Sequence, residues 1–144
     1  MTTPTMTAQY AVDGRPPSSL LRTVLLIDAW STLVFGVFLL AGGSWLGGPL
    51  GLPITWSVPI GVAMLGGAAA LGLIAGYPRI PARLALTVVA GNLLGGVALV
   101  LLTVSDLLPL TGFGTVFVLF GAVLVVVGAA LEFIGYRRYQ ADGR

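Results

Sequence analysis

Three polar residues stand inside long apolar runs of this chain: Asp28, Asn92 and Glu132. An ionisable group at bilayer depth costs a few kcal/mol on insertion scales and is usually turned toward protein or a water-filled cavity. Asp28 is the sharpest candidate, about 12 Å along its helix from Leu20 at ~1.5 Å per residue. One reading is a proton- or cation-binding carboxylate that changes charge during a transport cycle. The other is a structural hydrogen bond to Thr87, Asn92 or Arg83 on a neighbouring helix. Asn92, within GNLLGG, is expected to bond across helices, a contact worth about 0.6 to 2 kcal/mol. Glu132 lies about 6 Å before Tyr136, where helix four is expected to end. It is therefore expected to extend toward the headgroups, neutralised there by Arg137, Arg138 or Arg83. The alternative is a proton relay that feeds Asp28. Ser31 and Thr32 have no base to activate them and are expected to bond backbone one turn back. Asp106 is expected to be solvated.

Composition narrows the chemistry further. The chain has 144 residues, enough for one domain, is 57% hydrophobic and 8% charged, and contains neither cysteine nor histidine. Disulfides, thiol nucleophiles, Cys/His zinc sites, His-ligated haem and imidazole bases are thereby excluded. No phosphate-binding, dinucleotide-binding, kinase or nucleophile-elbow motif is present. Neither a cofactor nor a metal is expected, and the chain reads as non-enzymatic. A net charge of +2 without a basic stripe gives no footprint for nucleic acid.

The elements that position these residues are four apolar stretches, about 20–41, 57–76, 82–103 and 113–136. Each is close to the ~20 residues a transmembrane helix needs. The expected fold is all-α, an integral membrane bundle of four helices over residues 20–138 with antiparallel neighbours. Residues 1–19 and 139–144 read as polar tails. The first stretch is too long for a signal-peptide core and lacks a convincing cleavage site, and Ser18 or Ser19 could cap it. Gly42 to Trp56 is rich in glycine and proline and reads as a loop dipping into the interface, or as a re-entrant hairpin. Trp45, Trp56 and Tyr77 suit headgroup boundaries.

All seven basic residues are arginine: Arg15, Arg22, Arg79, Arg83, Arg137, Arg138 and Arg144. None falls between stretches one and two or between three and four. The positive-inside rule then predicts a multi-pass plasma-membrane protein with both termini cytoplasmic. Gly76-Tyr77-Pro78-Arg79 and Gly135-Tyr136-Arg137-Arg138 close the two halves alike, which suggests a parallel two-helix repeat. It is equally what any helix leaving a membrane tends to carry.

Glycines are expected to bring helices close. Gly72 with Gly76 and Gly91 with Gly95 form GxxxG pairs, and Gly114, Gly121, Gly128 and Gly135 recur every seven residues along one stripe. Such faces serve packing within the bundle, a homo-oligomer or a membrane-protein partner, besides lipid.

RTVLLIDAWSTLVFG, LGLP, GNLLGGVALVLL and ALEFIGYRR resemble a family of small four-helix integral membrane proteins of high-GC Gram-positive bacteria. The resemblance covers Leu20 to Arg138, with Asp28, Asn92, Arg137 and Arg138 at matching positions. It implies the fold and no activity. A looser likeness extends to the DoxX-like group. Small multidrug resistance transporters also carry a carboxylate in helix one, but the aromatic pattern around it differs here and the arginines favour a single orientation. The sequence thus favours a non-enzymatic accessory or assembly subunit, with a small proton-coupled transporter or channel using Asp28 as the alternative.

Overall fold

The structure is a computed structural model that describes residues 19–142. The N-terminal tail as far as Ser18, with Arg15, and the final Arg144 lie outside the described residues. Among the described residues four helices make up the fold: α1 (Ser19–Ala41), α2 (Ile54–Ala75), α3 (Ala82–Val104) and α4 (Gly112–Asp142). All four are long and apolar enough to cross a membrane. Large apolar side chains cover their outer faces, among them Trp30 at 65% exposure, Leu73 at 73% and Leu94 at 70%. Such a surface is unfavourable in water, and helices with internally satisfied backbones suit hydrocarbon.

Two boundaries differ from the sequence reading. Helix α2 starts at Ile54, because extended Pro53 precedes it and its carbonyl accepts the amides of Trp56 and Ser57. Proline has no N–H to leave unsatisfied there. Helix α4 runs on to Asp142, so Arg-Arg-Tyr-Gln-Ala-Asp continues it instead of forming a tail. That stretch holds no glycine or proline, and Gln140 Nε2 donates to Tyr136 Oη at 2.6 Å across one turn. The composition turns polar at Arg137 without ending the helix.

The bundle is built from two hairpins. Helix α1 packs along α2, α3 packs along α4, and α1 also lies against α4, whereas α2 and α3 barely meet. Helices α1 and α3 are therefore diagonal. Two apolar clusters close the ends. At the arginine-bearing end Leu21, Leu25, Leu71, Ala75, Ile80 and Ala85 pack together, with Tyr136 against them. Arg22 Nη2 donates to the Tyr77 carbonyl at 2.7 Å, which places a cation at the C-terminus of α2 where the helix dipole favours it.

The segment between α1 and α2 folds back over the opposite end. Leu46, Leu50 and Leu52 are buried there with Leu39 and Leu108. Thr111 fastens the segment. Its Oγ1 donates to the Pro49 carbonyl at 2.7 Å and its amide to the Leu50 carbonyl at 3.1 Å. The same hydroxyl accepts the Gly114 amide at 3.0 Å, which caps α4. Two glycines are required at this contact. Gly51 has φ +67°, and a Cβ on Gly114 would strike the Leu50 carbonyl. The segment is a plug held by named bonds, its leucines turned inward and Trp45 outward.

Candidate functional site

Between the two end clusters, α1, α3 and α4 each contribute one polar side chain to a single point. Asn92 Nδ2 donates to Asp28 Oδ2 at 2.8 Å and to Glu132 Oε2 at 3.0 Å. Ionised carboxylates accept and never donate, so only the nitrogen side of the amide can face both. Asp28 Oδ2 and Glu132 Oε2 thus meet at one nitrogen, which sets the two carboxyl groups side by side. Asp28 also receives the Thr32 hydroxyl at 3.4 Å, a long and weak contact.

The donors fall short of the acceptors. Two carboxylates present four oxygens. The Asn92 amide supplies two N–H groups, Thr32 a marginal third, and Glu132 Oε1 is buried with no partner. Arginine does not make up the difference: the groups that act on Glu132 are Asp28 and Asn92. Arg22, the basic residue nearest Asp28 along the chain, is engaged with Tyr77, and α2 contains no titratable residue at all.

Glu132 corrects the sequence reading. It is 1% exposed and does not extend to the headgroups or to Arg83, Arg137 or Arg138. Glu132 lies one turn before Tyr136, where the polar stretch begins, but α4 continues to Asp142 and the face carrying Glu132 points inward. The remaining expectations divide. Ser31 bonds back to the carbonyls of Ile27 and Asp28, as expected, whereas Thr32 turns to the Asp28 carboxylate. Thr87 bonds the Arg83 carbonyl and leaves Asp28 to Asn92. Asp106 is exposed, with a left-handed backbone (φ 54°).

The room for the carboxylates comes from the glycine stripe of α4. Gly135 faces Leu21, with a Cβ there only 3.2 Å from the Leu21 Cα, and Gly128 faces the Asp28 carboxylate at 3.9 Å. Gly121 lines the same space as Phe35 one step further on. Leu21, Asp28 and Phe35 thus step by sevens up α1 while their partners step by sevens down α4, the register of an antiparallel pair. Gly114 ends the stripe against Leu50.

The other predicted glycines are not helix contacts. Gly72, Gly91 and Gly95 have open space where a side chain would begin, as does Gly121, and Gly76 meets only carbonyls of its own α2. The close approaches use Gly36 against Gly61, and Gly96 against Val126. These three form no regular stripe, so spacing alone does not single them out. The reversed seven-residue ladder of α1 is the signal in the chain for the α1–α4 pairing.

From Asp28 two adjoining cavities lead toward the plug. The first, about 90 Å³, is lined by Asp28, Ser31, Thr32, Phe35 and Gly121 among others. The second, about 80 Å³, has wholly apolar walls and shares Phe35, Met64, Leu99 and Gly121 with the first. Phe117 stands at its side with its ring 5.9 Å from that of Phe35. Among the described residues no three acidic side chains cluster as a metal site would require. No family model, curated protein or solved structure matches the chain.

Proposed function

We propose that this protein is a small proton-coupled membrane carrier in which Asp28 and Glu132 jointly bind and release one proton. The observation that carries the reading is the shortage of donors around two carboxyl groups in a lipid-depth interior. A structural link between α1 and α3 needs one donor and one acceptor, and Asn92 with Asp28 already supplies them. A second carboxylate adds one more bond to the same amide, but it also brings a second like charge and an unpartnered buried oxygen to that point. A proton between the two acids turns one oxygen into a donor and removes one of two like charges that otherwise repel in low dielectric.

Asn92 keeps both acids in place whichever of them carries the proton, since it donates to each. The proton holder belongs to both hairpins, α1 on one side and α3 with α4 on the other. Its charge state therefore acts on the contact between them. Clusters of buried leucines close both ends of the bundle, while Asp28 and Asn92 between them stay partly exposed and Glu132 is fully buried. The arginine distribution supports a plasma-membrane orientation with both termini cytoplasmic.

Infrared difference spectroscopy on the reconstituted protein tests this reading. A protonated-carboxyl band should titrate with pH and change frequency in both Asp28→Asn and Glu132→Gln. A spectrum with no titrating carboxyl over the whole range in which the protein stays folded would refute it.

The outward glycines favour a second reading, an accessory subunit that docks another helix. At Gly91 and Gly95 no atom lies within 4 Å of the point where a Cβ would sit. The chain lacks cysteine, so Gly91→Cys gives a single thiol for disulfide trapping in native membranes. A trapped adduct supports that role, and its absence counts against it.

A further inference from the structure

We infer that the paired cavities between the carboxylates and the plug take a short organic cation, a primary ammonium with a single ring or a short aliphatic tail, whose charged end replaces the shared proton. This deepens the proton-coupled reading above and rests on it.

The argument begins at the floor. Asp28 lines the nearer cavity, beside the donor-poor pair. An ammonium group brings three N–H donors and a positive charge to Asp28, the member of the donor-poor pair that lines the cavity, and so offsets the charge it shares with Glu132 behind it. The walls select the rest of the molecule. Beyond Ser31 and Thr32 the lining is apolar, with Phe35, Met64, Leu99 and Phe117. Polar groups on the tail would find no partner there and would lose their hydration.

Size sets the upper limit. The two spaces measure about 90 and 80 Å³ and share four lining residues. An apolar cavity of roughly 150 Å³ accommodates benzene, whereas drug-sized ligands need about 300 Å³ or more. One ring fits, and a polycyclic cation does not. An anion is excluded by the floor and a sugar by the walls. Gly121 is the residue that leaves the passage open, because a side chain there would begin in empty space and grow between the two chambers.

Binding exchanges one cation for another. The protonated acid pair releases its proton to solvent as the ammonium enters, and the site keeps the same net charge. No covalent bond is made or broken. The groups around the exchange are Asp28 from α1, Glu132 from α4 and the neutral Asn92 from α3, while α2 contributes Met64 and no titratable residue.

The test uses full-length protein in lipid nanodiscs with benzylammonium chloride as the probe and benzyl alcohol as its neutral counterpart. Calorimetry reads binding, and a pH-indicator dye in weak buffer reads released protons. Benzylammonium should bind with proton release, its affinity rising about tenfold per unit increase in pH wherever the pair is protonated. Benzyl alcohol should bind at least about tenfold more weakly, and Gly121→Leu should weaken benzylammonium by about tenfold or more. The infrared carboxyl signal of that variant reports whether its triad is intact. Equal binding of the alcohol, or binding of the amine indifferent to both pH and Gly121→Leu, overturns the inference. If the wild-type carboxyl band titrates but benzylammonium does not bind, the ligand class is wrong and the proton site stands. If no band titrates, the proton reading itself has failed.

Discussion

Replacing Asn92 by leucine removes both bonds that gather the acids while nearly preserving side-chain volume. The bonds measure 2.8 and 3.0 Å to two different helices. Interhelical side-chain bonds in membranes contribute about 0.6 to 2 kcal/mol each, so the pair should be worth about 1 to 3 kcal/mol. Single replacements do not measure this cleanly. Asp28→Leu also removes a costly buried acid, and that gain offsets the lost bond. Double-mutant cycles isolate the pairwise part. Asn92 with Asp28 and Asn92 with Glu132 should each show a coupling of about 0.6 kcal/mol or more. Asn92 with Ser31→Ala should be additive, because the Ser31 hydroxyl bonds only to its own helix. Reversible unfolding in mixed micelles supplies the free energies. Couplings below about 0.3 kcal/mol in both carboxylate cycles, within ordinary additivity error, would mean that the amide does not hold the triad together.

Three further outcomes test the frame around the site. Gly114→Ala should destabilise by about 2 kcal/mol or more, since its Cβ meets the rigid Leu50 carbonyl, while Gly66→Ala, in open space, should change the midpoint of thermal unfolding little. If both behave alike, the plug does not seat against α4 as described. Thr111→Val removes the bond to Pro49 and the cap on Gly114, and should cost about 1 to 2 kcal/mol. It should also raise protease cleavage between Gly42 and Pro53, and unchanged cleavage rates would argue against the fastening role. Single cysteines at Asp106 and at Gln140 should react with an impermeant maleimide from opposite faces of intact cells, Asp106→Cys from outside. The reverse pattern would overturn the orientation drawn from the arginines.

The four spans can be read from the chain because hydrocarbon permits few alternatives. A run of apolar residues of the right length, bounded by Gly-Pro segments or arginines, has only the helix available to it. Boundaries are harder where two cues separate. Pro53 marks both a loop and a helix start, and the polar residues after Tyr136 end the apolar run without ending the helix. The plug is hidden for a related reason. Leu46, Leu50 and Leu52 lie in a segment whose glycines and prolines announce a loop, and composition does not say what a loop covers.

The site shows where a one-dimensional reading of depth stops being enough. Asp28 and Asn92 are recognisable as polar groups too deep to reach water. Glu132 escapes such a reading because it lies one turn before the polar stretch that begins at Tyr136, and neither the continuation of α4 to Asp142 nor its inward azimuth shows in that spacing. That azimuth is encoded in the chain, though in two places at once. Glu132 follows Gly128 by one turn, and Gly128 belongs to a seven-residue stripe whose counterpart on α1 is Leu21, Asp28 and Phe35. Neither ladder alone fixes a partner, since a stripe of glycines suits lipid, another copy or a neighbouring helix equally. Laid antiparallel, they match Gly135 with Leu21 and Gly128 with Asp28, and Glu132 then has to face the interior one turn away. An acid brought against another acid by backbone register and left 1% exposed has the amide of Asn92 as its hydrogen-bond donor, and the proposed shared proton would supply the second.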